Sequence, residues 1–126
     1  MNVLIACEES QTSCIEFRKL GYNAYSCDIQ DCSGGFPQWH IKGDCLSLID
    51  GFCSFFTCDG VNHYINGTWD LIIAHPPCTY LSKAGSCRMF PRPHVLNYDR
   101  YEKAIAARDF FMRIYNAACD HICIEN

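Results

Sequence analysis

The sequence lacks a long hydrophobic run and an N-terminal targeting segment. Its 126 residues are 49% hydrophobic, yet the longest aliphatic stretches are Val3–Cys7 and Leu71–Ala74, far below the roughly 18 residues that a membrane span needs. Glu8 and Glu9 follow the first stretch before the apolar core of a signal peptide is complete. We therefore expect a soluble protein without a membrane partner, folded as one domain over residues 1–126.

The sequence also lacks an excess of basic residues. Ten Lys and Arg face fourteen Asp and Glu, which leaves a formal net charge of −4. This excludes a general nucleic-acid-coating protein, because non-specific DNA affinity comes from basic groups that displace counterions. The basic residues gather between Lys83 and Arg113. If DNA is a partner, we expect this half of the chain to face it.

No C-x2-C pair occurs among the eleven cysteines, although such pairs are typical of zinc sites. The best candidate ligands are Cys119, His121 and Cys123, and alternate positions on one short strand converge poorly on a tetrahedral ion. An odd cysteine count and the lack of a secretion signal also argue against a disulfide framework. We expect no metal and mainly buried free thiols in a reducing cytoplasm.

The pattern of apolar runs predicts alternating strands and helices. Strands are predicted at 1–7, 23–27, 39–42, 69–74 and 121–125, with a loop at 29–38 and a longer loop at 85–97. A helix capped by Ser10 or Thr12 is predicted to end at Leu20, with Cys14, Ile15, Phe17 and Leu20 facing inward. Asp99 is predicted to cap a second helix that ends near Ala117, with Tyr101, Ala104, Ile105, Phe111 and Tyr115 on its apolar side.

A β-hairpin insertion is predicted at about 52–66, because two β-prone runs flank Asp59-Gly60, a strong turn signal. The remaining order of elements predicts an α/β fold with an open, mainly parallel sheet. Ligands of such sheets bind beyond the carboxyl ends of the strands. Polar residues that could contact a ligand follow most of these predicted strand ends, and this placement is the strongest indication of function. They are Glu8, Asp28, Asp44, His75 to Cys78, and Glu125.

The loop after the first strand reads Cys7-Glu8-Glu9-Ser10 and has no glycine. A dinucleotide site needs glycines so that backbone N–H groups can approach the pyrophosphate. Two carboxylates repel phosphate and favour a cation, and S-adenosylmethionine is cationic at its sulfonium and ammonium groups. The loop therefore predicts contacts with this cofactor. Alternatively, the two acids only favour the positive end of the following helix dipole.

Asp28 ends the second predicted strand about 20 residues after this loop, where a carboxylate can accept both hydroxyls of a ribose. Ile29 follows it directly, and Asp44 follows the third strand, where it can line the adenine edge. We include all three in the predicted cofactor site. Each aspartate can instead be a solvated turn residue, and for Asp44 that alternative is the stronger one.

The segment Ala74-His75-Pro76-Pro77-Cys78-Thr79-Tyr80-Leu81-Ser82 follows the clearest buried strand. Two successive prolines enforce an extended loop. A thiol presented at the ligand edge of the sheet can act as a nucleophile. Cys78 is therefore a candidate nucleophile.

Pro-Pro-Cys followed by Leu81 and Ser82 resembles the catalytic motif of cytosine-5 DNA methyltransferases, and Ile124-Glu125-Asn126 resembles the Glu-Asn motif of the same family. The chain looks closest to small methylases of phages and prophages. The resemblance implies a Rossmann-like, S-adenosylmethionine-dependent fold with sheet order 3-2-1-4-5, in the cytoplasm of a bacterial host or phage-infected cell.

By this resemblance, Cys78 attacks C6 of a cytosine flipped out of duplex DNA, and Glu125 engages the N3 and amino group of the base. Pro77, Ser82 and Asn126 then lie near the substrate, and His75 and Pro76 lie near S-adenosylmethionine.

Three departures from the family keep alternatives open. The glycine-rich first motif is replaced, and the sequence ends at Asn126, so the last strands, the arginine motif and the target-recognition region are expected to be missing. The Pro-Pro loop also resembles that of amino-group DNA methyltransferases. A truncated or non-catalytic binding protein that acts on a host defence factor is the third possibility. The open sheet edge is expected to pair with a second copy or a protein partner.

Overall fold

The structure is a computed structural model that describes residues 1–77, 89 and 96–125. Its strands and helices, in chain order, are β1 (Asn2–Ala6), α1 (Thr12–Lys19), β2 (Asn23–Asp28), β3 (His40–Lys42), β4 (Cys53–Phe56), β5 (Asn62–Ile65), β6 (Leu71–Ala74), α2 (Tyr98–Tyr115) and β7 (Ile122–Ile124). Within the described residues, five parallel strands form one sheet in the order β3-β2-β1-β6-β7. The predicted α/β class, parallel sheet and strand order are therefore confirmed.

Strand β1 lies at the centre of the sheet, and its residues from Val3 to Ala6 are fully buried. It pairs with β2 on one side and with β6 on the other. Because alternate side chains of a strand point to opposite faces, Val3 and Ile5 pack towards Cys14 of α1. Leu4 and Ala6 belong to the larger core on the other face. A continuous apolar run is typical of a strand covered on both faces.

The predicted hairpin is confirmed as β4 and β5, which form a separate antiparallel pair. Phe55 and Ile65 anchor it in the larger core. The ring of Phe55 lies 5.1 Å from that of Tyr25 in an edge-to-face arrangement. The chain before β4 is joined to the chain after β5, since the indole Nε1–H of Trp69 donates to the Leu48 carbonyl at 2.6 Å. The hairpin is thus an excursion from the sheet that packs back onto it.

The predicted cap of α1 is wrong. Gln11 occupies the cap position with a left-handed φ of 60°, and its side chain does not cap the helix. Glu8 does so instead: its two carboxylate oxygens accept the backbone N–H groups of Ser13 at 2.8 Å and Cys14 at 3.2 Å. Sequence spacing does not reveal this cap, because it depends on the left-handed turn that brings residue 8 over the helix end.

The predicted cap of α2 is also wrong by two residues. Asn97 accepts the N–H of Arg100 through its side-chain oxygen at 3.1 Å, and Asp99 lies within the first turn. The predicted apolar face is confirmed at Ala104, which is buried, and is wrong at Tyr101 and Tyr115, which are exposed. Ile114, which was not predicted for that face, is buried as well. The helix is only weakly amphipathic, so its apolar residues leave its orientation ambiguous.

Three smaller expectations also differ from the structure. The predicted loop at 29–38 ends in a single 3-10 turn at Pro37–Trp39. Leu20 is exposed at the end of α1, and Cys123 is exposed in β7. The predicted loop at 85–97 falls mostly outside the described residues.

Over the part of the chain that is described, no helix has the length and apolar character to cross a membrane.

A buried polar network joins the loop after β1 to the loop after β2. The side-chain Nε2 of Gln11 donates to Ser26 Oγ at 3.2 Å and to the Phe36 carbonyl at 2.9 Å, and its Oε1 accepts the Phe36 N–H at 3.1 Å. Ser26 contacts Nδ1 of the fully buried His40 at 2.8 Å. Buried polar groups need such partners, so Gln11 holds both loops in place.

We expect Gln11→Ala to lower the free energy of unfolding by about 2–4 kcal/mol, because it removes three hydrogen bonds and leaves the part-buried N–H of Phe36 without its partner. Urea denaturation followed by circular dichroism measures this change. Gln38→Ala, at an exposed position, is the control and should stay within about 0.5 kcal/mol of the parent. Equal denaturation midpoints for the two variants would contradict the role given to Gln11.

Candidate functional site

A cleft of about 540 Å³ opens at the carboxyl edge of the sheet. Its lining comes from the segments that end β1, β2 and β3, from Pro77 and from α2. The lining residues besides Pro77 are Cys7, Cys27, Asp28, Ile29, Gln30, Gly43, Asp44, Cys45, Lys103, Ala106, Ala107 and Phe110. The volume is within the range of small-molecule sites. Parallel strands place their ends together, so residues far apart in sequence share this cleft.

Asp28 is held at the cleft by its own turn. Its Oδ1 accepts the N–H of Gln30 at 2.9 Å, and its backbone carbonyl accepts the N–H of Gly43 at 2.8 Å. Among the described residues, Oδ2 has no recorded partner. A half-buried carboxylate with one oxygen oriented and one available is suited to accept hydroxyl groups from a ligand.

Ile29 and Asp44 complete this side of the cleft. Ile29 is 73% exposed although it is aliphatic, so it offers apolar surface to a flat ligand group at the cleft. Asp44 caps a short 3-10 turn at Cys45–Ser47, since its Oδ1 accepts the N–H of Leu46 at 3.0 Å. Asp44 therefore has the turn role that the sequence favoured, and it also lines the cleft.

Cys7 directly follows β1 and has a left-handed backbone conformation, with φ at 61°. This backbone region is costly for residues other than glycine. The Glu8 N–H donates to the Cys27 carbonyl at 3.2 Å and supports the turn. Cys7 and Gln11 thus both adopt a positive φ, a conformation in which glycine is the usual residue.

Three thiols line the cleft together, and their acidities differ. A hydrogen bond with Cys45 lowers the pKa of Cys7, although burial and the nearby Asp28 and Asp44 oppose the change. The same hydrogen bond and burial raise the pKa of Cys45. Burial raises the pKa of Cys27 to about 12. Cys7 is therefore the most acidic of the three thiols.

The other predicted residues of the first loop lie outside the cleft lining. Glu8 is only 6% exposed, and both of its carboxylate oxygens cap α1, which is the alternative that the sequence left open. Glu9 accepts the Ser33 N–H with its backbone carbonyl. Ser10 exchanges a side-chain hydrogen bond with Thr12 at 3.1 Å. These contacts hold the loop that shapes the cleft.

The segment after β6 is described as far as Pro77. Pro77 lines the cleft, and Pro76 is buried. His75 lies between Glu8 and Glu125 at the ends of neighbouring strands. The predicted residues Cys78, Ser82 and Asn126 lie outside the described residues. The structure therefore brings His75, Pro77 and Glu125 to the predicted edge and does not test the nucleophile.

Sequence reasoning missed Cys45 and the contribution of α2. Cys45 follows Asp44 directly, so the end of β3 was a usable signal for it. Ala106, Ala107 and Phe110 form the far wall of the cleft, and no local pattern in the sequence indicates that this face of α2 covers the sheet edge.

The basic residues of α2 are largely compensated by acids. Lys103 Nζ lies 3.2 Å from Asp99 Oδ2, and Arg108 Nη2 lies 3.4 Å from Asp109 Oδ1. Arg113 Nη2 lies 2.6 Å from Oδ2 of Asp50, and this contact lowers the pKa of the Asp50 carboxyl. The described part of the basic region is therefore a mixed surface with acids beside its cations.

No group of three potential metal ligands occurs among residues 1–77, 89 and 96–125. The thiol of Cys119 donates to the carbonyls of Trp69 at 3.1 Å and His121 at 3.3 Å. Its nearest partners are thus backbone oxygens.

Comparison with protein-family models, curated proteins and solved structures gives no match to this chain.

We expect Cys7 to be alkylated faster than Cys14 or Cys27. Burial raises the pKa of Cys14 to about 11, so about one molecule in a thousand carries that thiolate at pH 8, and only the thiolate reacts. Peptide mass spectrometry after timed iodoacetamide exposure measures the order. Cys45→Ala should slow Cys7 about fivefold, the value of one hydrogen bond. Equal rates at Cys7, Cys14 and Cys27 would contradict this assignment.

Proposed function

We propose that this protein has the Rossmann-like fold of S-adenosylmethionine-dependent methyltransferases and transfers a methyl group to C5 of cytosine in DNA. The observation that carries the proposal is the shared cleft. Cys7, Asp28, Ile29 and Asp44, predicted as cofactor residues from three successive strand ends, line it together, and Pro77 of the Pro-Pro-Cys segment lies at its margin.

The residues of the cleft suit a nucleoside without phosphates. Asp28 has an oxygen available for ribose hydroxyls. Ile29 offers exposed apolar surface for an adenine face. Asp28 and Asp44 disfavour phosphate groups and favour a cationic ligand. S-adenosylmethionine meets these conditions and supplies an electrophilic methyl group when it is bound.

In the proposed reaction, the target cytosine leaves the duplex stack so that its ring atoms become accessible. The Cys78 thiolate adds to C6 of the ring, and Glu125 engages N3 and the amino group, which makes C5 nucleophilic. After C5 has gained the methyl group, it loses its proton and the bond to Cys78 breaks. Pro77, Ser82 and Asn126 are assigned to the surroundings of the base.

DNA is the proposed partner, and its main contacts are assigned to the ligand edge of the sheet. The cations of α2 stand beside acids, so α2 by itself is a weak source of non-specific affinity. Strand β7 lies at one edge of the described sheet. Pairing of that edge with a second copy or a protein partner stays a prediction.

We expect S-adenosylmethionine to bind and to raise the melting temperature, as a ligand of the native state does. Asp28→Ala should weaken binding by about 1–3 kcal/mol, because one or two hydrogen bonds to a charged group are lost. Titration calorimetry measures both proteins. Asp31→Ala is the matched control, since Asp31 is exposed and its ion pair among the described residues is with Lys42. Its affinity should be unchanged. No heat and no thermal shift at millimolar ligand would contradict the cofactor assignment.

We expect DNA that contains 5-fluorocytosine to trap the intact gene product covalently in the presence of cofactor, because fluorine at C5 blocks the final elimination. Denaturing electrophoresis detects the adduct, and Cys78→Ser should abolish it. Methyl transfer that survives Cys78→Ser would point to amino-group methylation, which needs no thiol nucleophile. Cofactor binding without any transfer would favour a non-catalytic binding protein.

A further inference from the structure

His75 lies between two carboxylates that come from different strands. Its Nδ1 is 3.3 Å from Oε2 of Glu125, and its Nε2 is 4.0 Å from Oε1 of Glu8. The histidine side chain is 29% exposed. The resemblance implies a place for His75 near the cofactor, but none of the three residues lines the described cleft, so this arrangement is distinct from it.

Strand register brings the three residues together. Ala74 is paired with Ala6 on one side and with Ile124 on the other. The N–H of His75 donates to the Ala6 carbonyl at 3.0 Å, and the N–H of Glu125 donates to the Ala74 carbonyl at 2.9 Å. The juxtaposition is therefore determined by the backbone of three adjacent strands.

The two carboxylates are held very differently. Glu8 is buried, and both of its oxygens accept N–H groups at the start of α1. The Glu125 side chain is 78% exposed, and its recorded side-chain contact among the described residues is the one with His75. A free glutamate side chain populates several rotamers and loses them only when a partner orders it.

His75 is itself well restrained. Its backbone is hydrogen-bonded to β1, and the following residue, the buried Pro76, confines it to an extended conformation. The ring thus lies between a carboxylate that is bonded to the start of α1 and one whose side-chain contact among the described residues is with His75. A functional group held by such a supporting residue acts from a defined geometry.

We propose that His75 is a positioning residue that orients the carboxylate of Glu125 through its Nδ1–H, so that Oε1 is directed at the hydrogen-bonding edge of the substrate base. The proposal rests on the proposed function, in which Glu125 engages the target cytosine. His75 makes no contact with the reacting atoms in this assignment, and Glu8 lies 4.0 Å from its Nε2 on the far side of the ring.

The test compares three substitutions at position 75 in the intact gene product. The amide nitrogen of asparagine reaches the place of Nδ1, that of glutamine reaches the place of Nε2, and alanine reaches neither. We expect His75→Ala and His75→Gln to lower kcat about 10- to 100-fold, the range for a misplaced catalytic group, with the KM for DNA within twofold. His75→Asn should recover most of kcat, and all three should bind S-adenosylmethionine as the parent does.

His121→Ala is the matched control, because His121 is an exposed histidine just before β7, at the opposite end of that strand. It should leave kcat unchanged. An unchanged kcat in His75→Ala, or an equal recovery by His75→Gln and His75→Asn, would overturn the positioning role.

A measurement independent of activity separates this inference from the proposed function. The vicinal couplings of the Glu125 side chain, measured by NMR, should indicate one dominant rotamer in the parent and in His75→Asn, and averaged rotamers in His75→Ala. If the protein transfers no methyl group but shows this change, the positioning role stands and the proposed function fails. If Glu125 keeps one rotamer in His75→Ala, the positioning role fails whatever the activity is.

Discussion

The parallel pairing of β1 with β2 and β6 is the constraint on which the rest of the structure depends. Because all three strands run in one direction, the residues that follow them meet at one edge: Cys7 after β1, the turn at Asp28 and His75 after β6. Complete burial of β1 from Val3 to Ala6 makes the register costly to change, since a one-residue slip would move every side chain to the opposite face. The buried register of the core strands therefore determines which residues lie together in the candidate site.

The turn after β1 shows how the sheet edge is built without glycine. Cys7 and Gln11 both adopt positive φ, and each is stabilised by contacts from elsewhere in the chain. Gln11 bonds across to Phe36, and Glu8 caps α1. Local strain of this kind persists only where the surroundings determine the conformation. Glu8 thus acts on the protein itself, and the acids that line the described cleft, Asp28 and Asp44, come from the ends of β2 and β3.

Cysteine has more than one role in the described chain. Cys14 is a core residue against β1, where burial raises its pKa. Cys7 and Cys45 share a hydrogen bond at the cleft, which separates their acidities. Residue type alone therefore says little about a thiol here, because burial and the hydrogen-bond partner of each thiol decide its pKa.

The sequence by itself determined the α/β class, the parallel sheet and the hairpin insertion, because apolar runs and the Asp59-Gly60 turn are local signals that do not depend on distant contacts. It also placed Asp28 and Glu125 at strand ends. Only the tertiary structure decided which residues cap α1 and α2 and which side of α2 is buried. It also decided that Glu8 caps a helix and that His75 lies between two carboxylates. Each of these depends on which segments of the chain the sheet brings side by side, and a short window of sequence does not contain that information.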